Sequence, residues 1–139
     1  MYDKILVAVD HSPPSDRGLQ AARDLATVSG GEVWVLHLRE RGAGGKGGVA
    51  VAIETPDDAS AAVEACVEQL GEAGVKAHGI VRNTIYGYAA REIVAEAKEL
   101  DVDVIVMGSR GRGDLAGLVL GSTAHKVIHL TDRPILVVR

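Results

Sequence analysis

The chain has 139 residues, the size of one ordinary domain, so a single core is expected to carry every function. A hydrophobic share of 47%, a charged share of 24% and a mean hydropathy of +0.13 exclude a disordered chain. Fifteen basic residues against nineteen acidic ones leave a formal charge of −4, which argues against general binding to nucleic acid or to an anionic membrane, both of which reward positive charge. Any anion site must therefore be local. Cys66 is the only cysteine, so neither an intramolecular disulfide nor a thiolate zinc cluster can form, and a reducing compartment is expected. The apolar run before Asp10 is too short for the core of a signal peptide, and no run approaches the length of a membrane span. The protein is expected to be soluble and cytoplasmic.

Ile5 to Val9 is a continuous apolar run, the pattern of a strand buried on both faces of a parallel sheet. Ser12 can cap a helix that begins at Pro13, with Leu19, Ala22, Leu25 and Ala26 on one face, and Gly30-Gly31 ends it. A second strand follows from Val33 to Leu38. The Gly42 to Gly48 stretch reads as a surface loop. Pro56-Asp57-Asp58 opens a second helix, with acids where the macrodipole favours them and an apolar stripe of Ala59, Ala62, Val63, Cys66 and Leu70. Ala77 to Val81 is a weaker third strand, and Ala90, Ile93, Val94, Ala97 and Leu100 mark a third helix. Val102 to Met107 is a fourth strand, Ser122 to Leu130 a last helix capped by Ser122, and Ile135 to Val138 a fifth strand.

Strands alternating with helices predict right-handed crossovers and an α/β fold, a parallel sheet with helices on both faces. Ligands of such sheets bind at the carboxyl ends of strands where strand order reverses, which directs attention to Asp10, Leu38 and the segment after Met107.

That segment, Gly108 to Thr123, holds five of the seventeen glycines. Glycine lets backbone amides approach an anion with no Cβ in the way, and a helix starting at Ser122 would offer free N–H groups and the positive end of its dipole. From Gly108 to the end there are five basic residues and two acidic ones, so the field here favours an anion in an otherwise acidic chain. The segment is no Walker loop, because Asp114 follows Gly113, and Asp10-His11-Ser12-Pro13 is no dinucleotide fingerprint.

Gly108-x-x-Gly111, nine residues and then Gly121-Ser122 resembles the nucleotide-binding signature of the ATP-binding branch of the universal stress protein family. Lys4 to Asp10, His37-Leu38, Val102 to Gly108 and Arg133 to Val138 extend the resemblance over the whole chain. It implies a single domain with a five-stranded parallel sheet of order 3-2-1-4-5 and an adenine nucleotide, ATP with Mg²⁺, as ligand. Position by position it implies that Asp10 meets the ribose or the metal, that Ala8 and Leu38 reach adenine through their backbone, and that Met107 lines the base pocket. Gly108, Gly111, Gly121 and Ser122 would wrap the phosphates, Thr123 would add a hydroxyl, and Arg110 and Arg112 lie beside them at open positions of the signature. It also implies a homodimer through Ile135 to Val138, an apolar edge strand suited to pairing with a second copy. Gly87-Tyr88-Ala89 departs from the Gly-x-Pro that is frequent in the family and should affect only the start of the third helix.

Asp10-His11-Ser12 has the residue types of a catalytic triad, but sequence neighbours do not reach its geometry. His125 and His129 are four apart on a helix with no evident third ligand, and His37 in its strand reads as a satisfied, partly buried imidazole rather than a base. Trp34 and three tyrosines are too scattered to stack nucleic-acid bases. A response regulator would need an Asp at the end of the third strand, where Val81-Arg82-Asn83 stands. Three functions stay open: a nucleotide-dependent stress-response module with at most slow hydrolysis or self-phosphorylation, an enzyme of the adenine-nucleotide α-hydrolase type, and a dimeric scaffold with structural ATP.

Overall fold

The computed structural model describes residues 1–41, 54–111, 117 and 119–139. The chain alternates β1 (Lys4–Val9), α1 (Pro13–Ser29), β2 (Glu32–Arg41), α2 (Pro56–Glu72), β3 (Ala77–Ile85), α3 (Ala89–Leu100), β4 (Val104–Gly108), α4 (Ser122–Leu130) and β5 (Ile135–Val138). All paired strands run parallel in the order β3-β2-β1-β4-β5, with β3 and β5 at the edges.

The continuous apolar runs are explained by burial on two sides. Ile5, Val7 and Val9 of β1 pack into a core with Leu19, Ala22 and Ala26 of α1 and with Val63 and Leu70 of α2. Leu6, one residue out of phase, packs on the other face with Ile93, Val94 and Ala97 of α3 and Val127 of α4. Strand side chains alternate between faces, so a strand covered by helices on both sides needs apolar residues at odd and even positions alike.

Local chemistry sets the helix ends. The Ser12 hydroxyl accepts the Ser15 N–H at 3.4 Å ahead of prolines in the first turn of α1, and Gly30 closes that helix at φ 74°, a left-handed conformation that glycine adopts without strain. Thr55 and Asp58 form a reciprocal capping box at the start of α2.

Three expectations need correction. β2 and β3 stay paired well beyond Leu38 and Val81, through Arg39↔Asn83, Glu40↔Thr84 and Arg41↔Ile85. This end of the ribbon carries charged and exposed residues, so backbone pairing continues where the apolar signal stops. β4 begins at Val104 rather than Val102, because Val102 accepts its place as the turn leaves α3, its N–H bonded to the Ala97 carbonyl at 3.0 Å. The cap of α4 is Gly121, extended at φ −74° and ψ 166°, and Ser122 is the first helical residue; among the described residues no side chain caps this helix. Cys66 is half-buried on α2 beside the core, and burial followed by the charge of Asp16 pushes its thiol above the ordinary range, which suits a structural role.

Candidate functional site

A cavity of about 380 Å³ opens at the carboxyl ends of β1, β2 and β4, beside the β1–β4 boundary at which strand order reverses. Its size lies within the range of small-molecule sites, about 300–1,000 Å³. Ala8 and Asp10 line it from the end of β1, and Leu38 lines it from β2. Met107, Gly108, Arg110 and Gly111 contribute from the end of β4, and Ser122 and Thr123 from the first turn of α4. Gly121, which precedes Ser122, is buried. Arg112 and the Gly42 to Gly48 stretch lie outside the described residues.

The β4–α4 wall is built from backbone. The Ser109 N–H donates to the Val138 carbonyl at 2.7 Å, and the Gly121 N–H donates to the Ser109 carbonyl at 2.5 Å. That second bond brings position 121 back to the end of β4 and sets the first turn of α4 against the cavity. The α4 ladder starts with the His125 N–H on the Gly121 carbonyl at 3.0 Å. The amides of the first turn of a helix have no partner within the helix, and Ser122, Thr123 and Ala124 all line the cavity. Gly108 has a different reason to be glycine. A Cβ there would lie 2.8 Å from the Pro14 carbonyl carbon and 3.0 Å from its oxygen, so the missing side chain lets α1 pack on β4.

The opposite wall is built from side chains. His11 adopts φ 65°, turning the chain sharply after β1. One Asp10 carboxylate oxygen accepts the Ser12 N–H at 3.0 Å and the Ser12 hydroxyl at 2.5 Å, while the Asp10 N–H donates to the Ser15 hydroxyl at 2.9 Å. Asp10 is thus held rigidly at the cavity. The triad reading fails on geometry: Ser12 donates to Asp10 rather than to His11. Glu40 also lines the cavity, and its carboxyl is pushed above the ordinary range, first by desolvation and then by the negative charge of Asp10.

His37 is buried, with Nδ1 2.9 Å from the Val9 carbonyl and Nε2 2.8 and 2.9 Å from the two oxygens of Glu54. The satisfied imidazole expected from the sequence is present, but Glu54 was not foreseen as its partner. Glu54 is anchored in turn by Arg39, which donates to its carbonyl at 2.9 Å. Tyr86, Gly87 and Ala89, at the β3–α3 turn, also line the cavity and were missed; Gly87 sits at φ 90° in that turn. His125 and His129 are exposed, with ring centroids 4.6 Å apart. β3 ends at Ile85, and no carboxylate follows it directly. Among the described residues no helix is long and apolar enough to cross a membrane.

The sequence profile of the universal stress protein family matches residues 1–139. Universal stress protein YxiE of Bacillus subtilis is 34% identical, with both chains covered in full. Universal stress protein MJ0577 of Methanocaldococcus jannaschii is 28% identical over 100% of this chain and 96% of its own. Its solved structure superposes with a TM-score of 0.82 over 99% of this chain and 96% of that one. The universal stress protein of Archaeoglobus fulgidus solved in complex with dAMP shares the fold, with a TM-score of 0.73 and 24% identity over 99% of this chain and 98% of that one.

Proposed function

The chain belongs to the universal stress protein family, and from that premise we propose that its cleft binds ATP with Mg²⁺ and that nucleotide occupancy switches the state or partner of a stress-response module. The observation that carries this reading is the first turn of α4, uncapped by any side chain among the described residues and facing a cavity whose other wall carries carboxylates. Amides at a helix start favour phosphate, and carboxylate oxygens favour a hard divalent cation, so the two walls suit the two halves of a metal–nucleotide complex. Ser122 and Thr123 would meet the phosphates with backbone and hydroxyl groups, and Gly111 and Gly121 leave them room. Arg110 adds positive charge. Asp10 would meet the ribose or the cation, and Ala8, Leu38 and Met107 would line the base. A bound Mg²⁺ would supply charge neutralisation for the phosphates. That a protein of the same fold holds dAMP agrees with an adenine ligand.

The same reading gives a single cytoplasmic domain that works as a homodimer. β5 is an edge strand and its Leu136 is exposed, which supports pairing with a second copy through Ile135 to Val138. Sedimentation tests this: a dimer that dissociates on dilution is expected, and a monomer at every concentration contradicts it.

Calorimetric titration of nucleotide-free protein with Mg-ATP, with GTP as control and product analysis after several hours, tests the function. Saturable ATP binding without turnover is the expected result. Multiple turnovers would favour an α-hydrolase-type enzyme, and no binding would leave a scaffold.

A further inference from the structure

We propose that His11, His37 and Glu54 form a binding site for a divalent cation of the zinc class, set in the β1–β2 wall of the cleft and separate from any cation carried by a nucleotide. Each residue offers one ligand atom, and these atoms all lie within 4.8 Å of one another. Ligand atoms on one tetrahedral zinc at about 2.0–2.2 Å stand about 3.3–3.6 Å apart, so the widest pair has to close by about 1.2–1.5 Å, which side-chain rotation supplies.

The tautomer of His37 is set by its surroundings. A carbonyl oxygen only accepts, so the 2.9 Å contact with Val9 requires the Nδ1 hydrogen and leaves Nε2 aimed at the carboxylate of Glu54. Histidines that bind metals commonly donate their other ring N–H to a backbone carbonyl, which fixes the ring and aims its lone pair. Neighbouring ligand atoms on a tetrahedral zinc stand about 3.3–3.6 Å apart, so the 2.8 and 2.9 Å contacts between Nε2 and the Glu54 oxygens need to open by only about 0.5–0.8 Å to admit the ion. The His11 ring stands beside that of His37, with centroids 4.9 Å apart, and is brought there by the left-handed turn at φ 65°.

The positions are rigidly supported. His37 sits in the middle of a paired strand, and Glu54 immediately precedes the Thr55 cap of α2 with its carbonyl held by Arg39. Arg39 donates to the backbone oxygen of Glu54 and to the side chain of Asn83, not to the Glu54 carboxylate, which faces His37. Two imidazoles and one carboxylate are a borderline donor set, suited to zinc more than to magnesium. Three protein ligands leave a coordination position, and His37 and Glu54 both line the cavity from which water or an anion would fill it. A protonated His37 paired with Glu54 is the competing account, and it predicts no zinc affinity at this place.

The test is zinc titration of chelator-stripped, nucleotide-free protein against a chromophoric chelator, with the visible absorption of cobalt(II) as a second readout. One zinc per chain is expected. His11→Asn and Glu54→Gln should each weaken binding by at least about tenfold and remove the cobalt bands, since even supporting groups of metal sites are worth 10–100-fold. Asn tolerates the left-handed backbone at position 11, and both variants are checked for an unchanged circular dichroism spectrum. A double variant of the exposed pair, His125→Gln with His129→Gln, should bind as the parent does. No zinc binding by the parent overturns the proposal, as does full affinity in either the His11 or the Glu54 variant, or loss of the site in the His125/His129 variant. Because no nucleotide is present, these outcomes are independent of the nucleotide reading.

Discussion

The two walls of the cleft are made in different ways. The β4–α4 wall is backbone: the strand end through Gly111 and a helix start, joined by the 2.5 Å bond from the Gly121 N–H to the Ser109 carbonyl. The β1–β2 wall is side chain: Asp10 held by Ser12, Glu40 beside Asp10, and His37 joined to Glu54. A backbone wall attracts an anion by geometry at almost any sequence that permits the turn, whereas a side-chain wall depends on the individual groups. Substitutions should therefore act on binding through steric access on one side and through charge on the other.

The largest effect is expected at Gly121. Its φ of −74° is open to any residue, so Gly121→Val should fold while its side chain crowds the phosphate region, weakening ATP by about 100-fold, or about 2.7 kcal/mol. Calorimetry checks the affinity and circular dichroism the fold; unchanged affinity would remove the phosphate wall from the account. Gly108 should behave in the opposite sense, since Gly108→Ala forces a Cβ against Pro14 and should lower stability by about 1–3 kcal/mol in urea melts. A stable Gly108→Ala protein that had lost only its nucleotide would reverse the roles given to the two glycines. Away from the cleft, Thr55→Ala removes the capping box of α2 and should cost about 1 kcal/mol.

The smallest effect sharpens the charge side of the comparison. Glu40→Gln removes a negative charge beside Asp10 and should improve binding of metal-free ATP a few-fold at neutral pH. The gain should shrink as acid protonates Glu40 in the parent. The stability of the folded chain carries the same sign. A carboxyl raised in the folded state contributes stability that is fully present below the ordinary glutamate value of 4.5 and is lost as pH rises through the elevated one. The Gln variant should lack that part of the pH dependence; an identical stability profile would show that neither burial nor Asp10 raises the Glu40 carboxyl.

The backbone wall was legible in the sequence because its parts are close together along the chain. Gly108, Gly111 and Gly121 with Ser122 make one segment with a fixed spacing, and only the cap was displaced by one residue, since an extended glycine served where a hydroxyl was expected. The fold was equally legible, because burial on two sides writes itself into the central strands as apolar runs, interrupted between Val33 and Leu38 of β2 by His37 alone. The extension of β2 and β3 was not, because paired backbone at Arg39 to Arg41 leaves no hydrophobic trace. The side-chain wall was read only at Asp10. His11, His37 and Glu54 come from three elements, and only the parallel register of β1 with β2 and the cap of α2 bring them together. His37 alone carried a usable signal, as a polar residue inside an apolar strand, and that signal called for a buried partner without naming it.

The central claim is that the first turn of α4 receives the phosphates. Amide resonances of ¹⁵N-labelled protein titrated with Mg-ATP test it most directly. The amides of Ser122, Thr123 and Ala124 should shift most, together with that of Ser109, while those of Ser60 and Gly79 on the α2–β3 side remain in place. Saturable binding that leaves the α4 amides unmoved would contradict it.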